Sequence, residues 1–146
     1  MVAKAFSIED GNQSSSILSS RKKQYTDIDL AFLARPSGDV YKKTDASAVK
    51  QSVRNLLLTS RYEKPFQPDF GANLNSALFG LDTDFDPEYI QDLIADAINN
   101  YEPRARVLTI DIQTDGDKNL MNATVEFQVV NTSEVVSLEV SLARLR

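Results

Sequence analysis

The stretch Asn99-Asn100-Tyr101-Glu102-Pro103-Arg104-Ala105-Arg106-Val107-Leu108-Thr109-Ile110 is where the apolar pattern changes period. Before it, Ile90, Leu93, Ile94, Ala97, Ile98 and Tyr101 recur at helical spacing; after it, Leu108, Ile110 and Ile112 alternate with Thr109 and Asp111. Helical spacing followed by strict alternation predicts an amphipathic helix running into a half-buried strand. Pro103 sets the boundary, because its ring disfavours helical geometry at Glu102 and stops the helix by Tyr101. The start of that helix is equally marked. Asp86 is a good N-cap, Pro87 suits the first helical position, and Glu88 favours the positive end of the helix dipole.

Working outward, alternation continues to the end of the chain. Asp115-Gly116-Asp117 predicts a turn, Met121, Ala123, Val125, Phe127 and Val129 a second strand, and Asn131 to Glu134 another turn. Val136, Leu138, Val140 and Leu142 alternate on a third strand. Three strands on short turns form an antiparallel meander with one apolar face. Upstream, Thr44 or Asp45 caps a helix with Val49, Val53, Leu56 and Leu57 on one side and Lys50, Gln51 and Arg54 on the wet side, ending near Ser60. Ile28, Leu30 and Phe32 alternate within residues 24–32, predicting a short strand with one buried face, and Pro36-Ser37-Gly38-Asp39 makes a turn. The expected class is α+β: a C-terminal meander packed against two main amphipathic helices, with a short N-terminal strand.

Between the helices, Arg61 to Gly71 forms a loop stiffened by Pro65 and Pro68 and carrying Tyr62, Phe66 and Phe70. An irregular loop with three aromatics is expected to be pinned to the body or to a neighbouring chain, with Glu63, Pro65, Phe66, Asp69 and Phe70 as its contacts. A short apolar helix follows, with Leu74, Ala77, Leu78 and Phe79.

At 146 residues, with 42% apolar and 25% charged residues, the chain suits one globular domain with a sizeable core. Residues 1–24 are serine-rich and close on Arg21-Lys22-Lys23, so they read as an arm that orders on a partner or stays loose, while 25–146 form the domain. The net charge of −5 argues against nucleic acid or an anionic membrane as partner. Without cysteine or histidine, Ser-His-Asp and Cys-His catalysis and the usual zinc ligands are unavailable, and no cofactor is implied.

Two motif matches fail on inspection. Asp82-Thr83-Asp84-Phe85-Asp86 opens like a calcium loop, but Pro87 stands where the turning glycine belongs and Leu93 where the bidentate glutamate belongs. Asp69-Phe70-Gly71 lacks every companion a kinase needs. A glycosidase needs two carboxylates and no histidine, which leaves Glu63, Asp69 and Glu102 as candidates. Its general acid must have a raised pKa, yet Arg61 and Lys64 flank Glu63, and Arg104 and Arg106 follow Glu102. Nearby cations push the wrong way.

Two features allow docking. In an extended segment Glu102 and Arg104 project to one side, fixed by Pro103, and offer an acceptor beside a planar donor fork. The same triplet also reads as a helix stop with a surface ion pair. Val135 to Leu142 contains no proline, so at a sheet edge Val135, Val136, Leu138, Val140 and Leu142 would line a site for strand addition. Alternatively the strand around Ile28 covers that edge. Proline at Val136 or Leu138 would block addition if those N–H groups face the incoming arm.

Several pieces in order resemble the baseplate wedge and sheath-initiator family of contractile phage tails. They are Asp27-Ile28-Asp29-Leu30-Ala31-Phe32, the run Ala48 to Leu58, Thr59, Glu63-Lys64-Pro65-Phe66, Pro68-Asp69-Phe70-Gly71, Leu78-Phe79 and Tyr101-Glu102-Pro103-Arg104. The resemblance covers roughly residues 25–145 and departs at Ser60-Arg61-Tyr62, where many members have a Pro-Gly turn. It implies a structural role without catalysis. Glu102, Pro103 and Arg104 would contact the helical core bundle of the wedge, and arms of the first sheath ring would add strands to the sheet. It further implies six copies in a virion tail baseplate assembled in the host cytoplasm. The family has also carried a lysozyme label, so a peptidoglycan-cleaving glycosidase is the alternative.

Overall fold

The computed structural model describes residues 24–78, 86–115 and 120–143. The expected arm (except Gln24), Phe79, the calcium-like run before Asp86 and the Gly116-Asp117 turn lie outside the described residues. Eight elements follow in order: β1 (Thr26–Ile28), β2 (Lys42–Thr44), α1 (Asp45–Leu58), α2 (Leu74–Leu78), α3 (Pro87–Tyr101), β3 (Ala105–Asp115), β4 (Leu120–Val129) and β5 (Val135–Ala143).

The three long strands pair antiparallel in the order β3-β4-β5, so β4 is central. Met121, Ala123, Val125, Phe127 and Val129 are buried on the face turned towards the helices, as the alternation requires. Val49, Val53, Leu56 and Leu57 of α1 and Ile90, Ile94, Ala97 and Ile98 of α3 complete one core with Leu138, Val140 and Leu142. This is the expected α+β arrangement.

Local chemistry explains the ends of α3. The Asp86 carboxylate accepts the Glu88 N–H at 3.0 Å, with Pro87 in the first turn. At the far end Glu102 leaves helical geometry with φ −129° and ψ 72°. The start of α1 differs from the expected cap. Thr44 occupies the N-cap position without a side-chain cap bond, and Asp45, at φ +45°, accepts the Tyr25 N–H instead.

Two expectations about buried faces need correction. In the N-terminal segment Ile28, Leu30 and Phe32 are exposed, while Tyr25, Asp27 and Asp29 turn inward. Period two was right and the face wrong, because the polar row has partners: Tyr25 bonds Asp45, and Asp29 pairs with Lys43 at 3.2 Å. Strand β1 is only three residues long and pairs with β2, not with the meander. It stands on α1 through Gln51, whose Nε2 donates to the Ile28 carbonyl at 2.8 Å and whose Oε1 accepts the Leu30 N–H at 3.3 Å. In β3, the register shifts between Val107 and Thr109, so Leu108 is exposed and Val107 takes the inward place.

The sheet's backbone polarity follows from two bonds. The Val129 N–H donates to Glu134 O at 2.9 Å, and the Val130 N–H donates to Arg104 O at 3.0 Å. Bonded and non-bonded pairs alternate along an antiparallel ladder. With Phe127 opposite Val136 and Val125 opposite Leu138, odd-numbered β4 residues therefore bond to β5. The main chains of Val136, Leu138, Val140 and Leu142 face β4, whereas those of Val135, Ser137, Glu139, Ser141 and Ala143 face away. Proline at Val136 or Leu138 would therefore break the protein's own sheet before touching any incoming arm.

Candidate assembly surfaces

The Glu102-Pro103-Arg104 triplet lies where α3 becomes β3, and its main chain is fixed on both sides. The Glu102 N–H donates to Ile98 O at 2.8 Å, and Glu102 O accepts the Ala105 N–H at 3.0 Å. Extended geometry brings the two charged side chains together as the spacing predicts. Arg104 donates from Nε to Glu102 Oε1 at 2.6 Å and from Nη2 to Oε2 at 2.7 Å, a bidentate pair. The pair is not presented side by side to solvent. Glu102 is only 3% exposed, and its Oε2 also accepts the Ser52 hydroxyl from α1. Arg104 is the outward partner, with 30% of its side chain exposed and its guanidinium 5.5 Å from the Tyr25 ring centre.

Ser52, Tyr25 and Asp45 complete this site. Tyr25 is strapped down by reciprocal bonds, its N–H to Asp45 Oδ1 at 3.1 Å and its carbonyl accepting the Asp45 N–H at 2.7 Å. Sequence reasoning missed all three. One signal was available: Ser52 stands three residues after Val49 and four before Leu56, a polar residue within the apolar stripe. Burial alone would push the Glu102 carboxyl up, but hydrogen bonds from Arg104 and Ser52 and the Arg104 charge outweigh it and hold the group below its ordinary value. The hydrogen bond to Glu102 raises Arg104 in turn. Glu102 thus fixes the orientation of a planar donor whose side chain is 30% exposed.

The 61–71 loop is pinned at some of the expected contacts and open at others. The Glu63 carboxylate accepts the Ser60 N–H at 2.9 Å. Phe70 packs edge-on against Tyr101 at 5.2 Å and under Lys64 at 4.0 Å. Gly71, at φ +109°, passes so close to α1 that a Cβ there would lie 2.3 Å from Thr59 O. Pro65 and Asp69 are exposed, and Phe66 stands fully in solvent at φ +66°, with Tyr62 nearly so at φ +67°. The loop is therefore held to the body by its feet while two aromatics point away from it.

The third surface is the β5 edge. Among the described residues no strand pairs with its outer side, so the alternative in which β1 covers it does not hold. The other free edge, on β3, is interrupted by its bulge, whereas β5 keeps one unbroken register along β4.

The family described as baseplate wedge protein gp25 matches residues 43–134, more than half of the chain. The chain belongs to that family. The baseplate wedge protein gp25 of Enterobacteria phage T4 is 27% identical over 122 residues, spanning 83% of this chain and 92% of the T4 protein. Solved structures share the fold. A Geobacter sulfurreducens protein provisionally called a tail lysozyme matches with a TM-score of 0.59 at 21% identity, over 67% of this chain and 89% of that one. A chain of the anti-feeding prophage baseplate gives 0.58 at 21% identity, over 82% and 86% respectively. A chain of the post-contraction pyocin R2 baseplate gives 0.51 at 18% identity, over 82% and 99%.

As a gp25-family chain, this is a wedge protein of a contractile-tail baseplate. The gp25 match begins within β2 and ends at the β4–β5 turn, so it includes the Glu-Pro-Arg triplet and the aromatic loop but neither Tyr25 nor β5. Of the carboxylates raised for glycoside hydrolysis, Asp69 is exposed, and Glu63 and Glu102 have other partners in this gp25 fold. Glu63 is exposed and bonds its own loop, and Glu102 is locked to Arg104 and Ser52 with its acidity increased, unlike a general acid. No group of three acidic residues among those described is placed to hold a metal ion. No helix among them is long and apolar enough to cross a membrane.

Proposed function

We propose that the protein docks on the wedge core through Arg104 and starts the tail sheath by accepting a strand along β5. The unpaired outer edge of β5 carries this reading. Five residues, Val135, Ser137, Glu139, Ser141 and Ala143, turn both main-chain groups outward over nine residues without a proline or bulge. Main-chain pairing is strict in geometry and tolerant in sequence, which suits the junction between a baseplate and the lattice of a different protein. Val136, Leu138, Val140 and Leu142 form the inward side-chain row that an added strand would extend.

Docking divides the work within the triplet. Glu102 and Pro103 position Arg104, and the guanidinium makes the contact with the core-bundle proteins of the wedge. Tyr62 and Phe66, with Glu63, Pro65, Asp69 and Phe70 shaping their loop, would pack against a neighbour in the same assembly. Six copies in the virion baseplate, put together in the host cytoplasm, complete the proposal. The protein works without catalysis or cofactor, with no nucleic acid and no membrane as partner. Reconstitution with the wedge and sheath proteins tests it. Sheath should start on baseplates holding the wild-type protein and fail on those holding Ser137→Pro. Efficient initiation by a folded Ser137→Pro protein would remove strand addition. Cell-wall clearing by the purified protein, lost in Glu102→Gln, would favour the glycosidase instead.

A further inference from the structure

Beside the β5 edge, α1 lays down a row of side chains that includes two exposed cations. Ala46, Ser47 and Lys50 line a depression with Glu134, Val135, Val136 and Ser137. Arg54 and Leu58 line the next one with Glu139, Val140 and Ser141. Helix and strand therefore run in the same direction, and the two depressions form a groove along the edge where a strand would be added. Ala46, Lys50, Arg54 and Leu58 are spaced four apart, a single helical stripe with cations at its centre and apolar groups at its ends.

The side chains of Lys50 and Arg54 are exposed and make no ion pair or hydrogen bond among the described residues. Glu134 and Glu139 border the same groove on the strand side, and neither lies within ion-pair distance of these cations. Glu139 belongs to the β5 row that faces away from the helices. Four helical residues advance about 6 Å along the axis, and alternate residues of a strand advance about 6.6–6.8 Å. The spacing of Lys50 and Arg54 thus matches successive inward side chains of a strand lying beside β5.

We infer that the groove selects its strand by charge: the added segment carries carboxylates at two alternate positions facing Lys50 and Arg54, with apolar side chains beyond them towards Ala46 and Leu58. This rests on strand addition at β5 as proposed above and specifies what the strand must look like. The backbone supplies the pairing, and the two cations reject chains with lysine or arginine in that row.

The test uses the full chain and two synthetic peptides of alternating threonine and valine. One has glutamate at two alternate inward positions and the other lysine at the same places. Amide NMR shifts at Val135, Ser137, Glu139 and Ser141 report occupancy of the edge. The glutamate peptide should bind about tenfold more tightly at low salt, as two partly exposed ion pairs allow, and its advantage should shrink as salt rises. The double variant K50E/R54E should reverse the preference. Equal binding of the two peptides, or an unchanged ratio in K50E/R54E, overturns charge selection while leaving strand addition intact. Binding of neither peptide overturns both. A charge preference that K50E/R54E reverses, with sheath initiation unaffected by it, supports the groove and removes the sheath as its occupant.

Discussion

Adjacent prolines in β5 should have opposite effects, because neighbouring residues turn their N–H groups to opposite sides. The Leu138 N–H faces Val125, and the side chain is 2% exposed. Leu138→Pro strands a buried carbonyl, at about 1–3 kcal/mol. It also exchanges a packed leucine for a smaller ring, at about 2–5 kcal/mol. Together these reach about 3–8 kcal/mol, a large part of the roughly 5–15 kcal/mol that holds a domain of this size. Ser137 is exposed and its N–H points outward, so Ser137→Pro should cost within about 1 kcal/mol. In sheath initiation the order reverses. Ser137→Pro removes one central bond to the incoming strand and leaves its acceptor unsatisfied, weakening addition about tenfold to a hundredfold. Urea unfolding followed by circular dichroism reads the first effect, and sheath assembly on reconstituted baseplates reads the second. A stable Leu138→Pro protein beside an unfolded Ser137→Pro protein would refute the assigned backbone polarity.

Arg104→Ala should both weaken wedge docking and destabilise the monomer by about 1–3 kcal/mol, since it leaves Glu102 buried with Ser52 but without its charged partner; adding Glu102→Gln should restore most of the stability but not the docking, as urea midpoints and co-purification would show. Arg104→Lys should rescue docking poorly because an ammonium cannot reproduce the bidentate fork. The Glu102 carboxyl is held below its ordinary value in the folded state. Its stabilising contribution should therefore be complete above the unfolded value near about 4.3 and disappear as pH falls through the folded one. Urea midpoints measured across this range should fall less steeply for Glu102→Gln. Gly71→Ala should cost at least about 1–3 kcal/mol, from its positive φ and the approach to Thr59 O, read as a lowered thermal midpoint.

Much of the fold was legible because long alternation and long helical stripes are each satisfied by one arrangement. Met121 to Val129 had to turn every second residue inward, and Asp86-Pro87 had to open a helix. The failures have local causes. A bulge is invisible in a run such as Val107-Leu108-Thr109-Ile110, because either apolar neighbour can serve as the inward residue until the partner strand sets the register. Alternation in the first strand placed Ile28, Leu30 and Phe32 inside because they are apolar. Asp45, Lys43 and Arg104, distant in sequence, are what draw the polar row inward. At the Glu-Pro-Arg site the side-by-side geometry followed from proline and strand spacing. The burial of Glu102 did not, because it depends on Ser52 reaching across from another helix.

The most direct measurement is a reconstruction of the assembled baseplate with the first sheath ring, at a resolution that traces main chains. The account predicts a strand from another polypeptide beside β5, hydrogen-bonded to Val135, Ser137, Glu139 and Ser141, with its inward side chains facing Lys50 and Arg54. An outer side of β5 left in solvent, or sealed by this protein's own N-terminal residues, would contradict it.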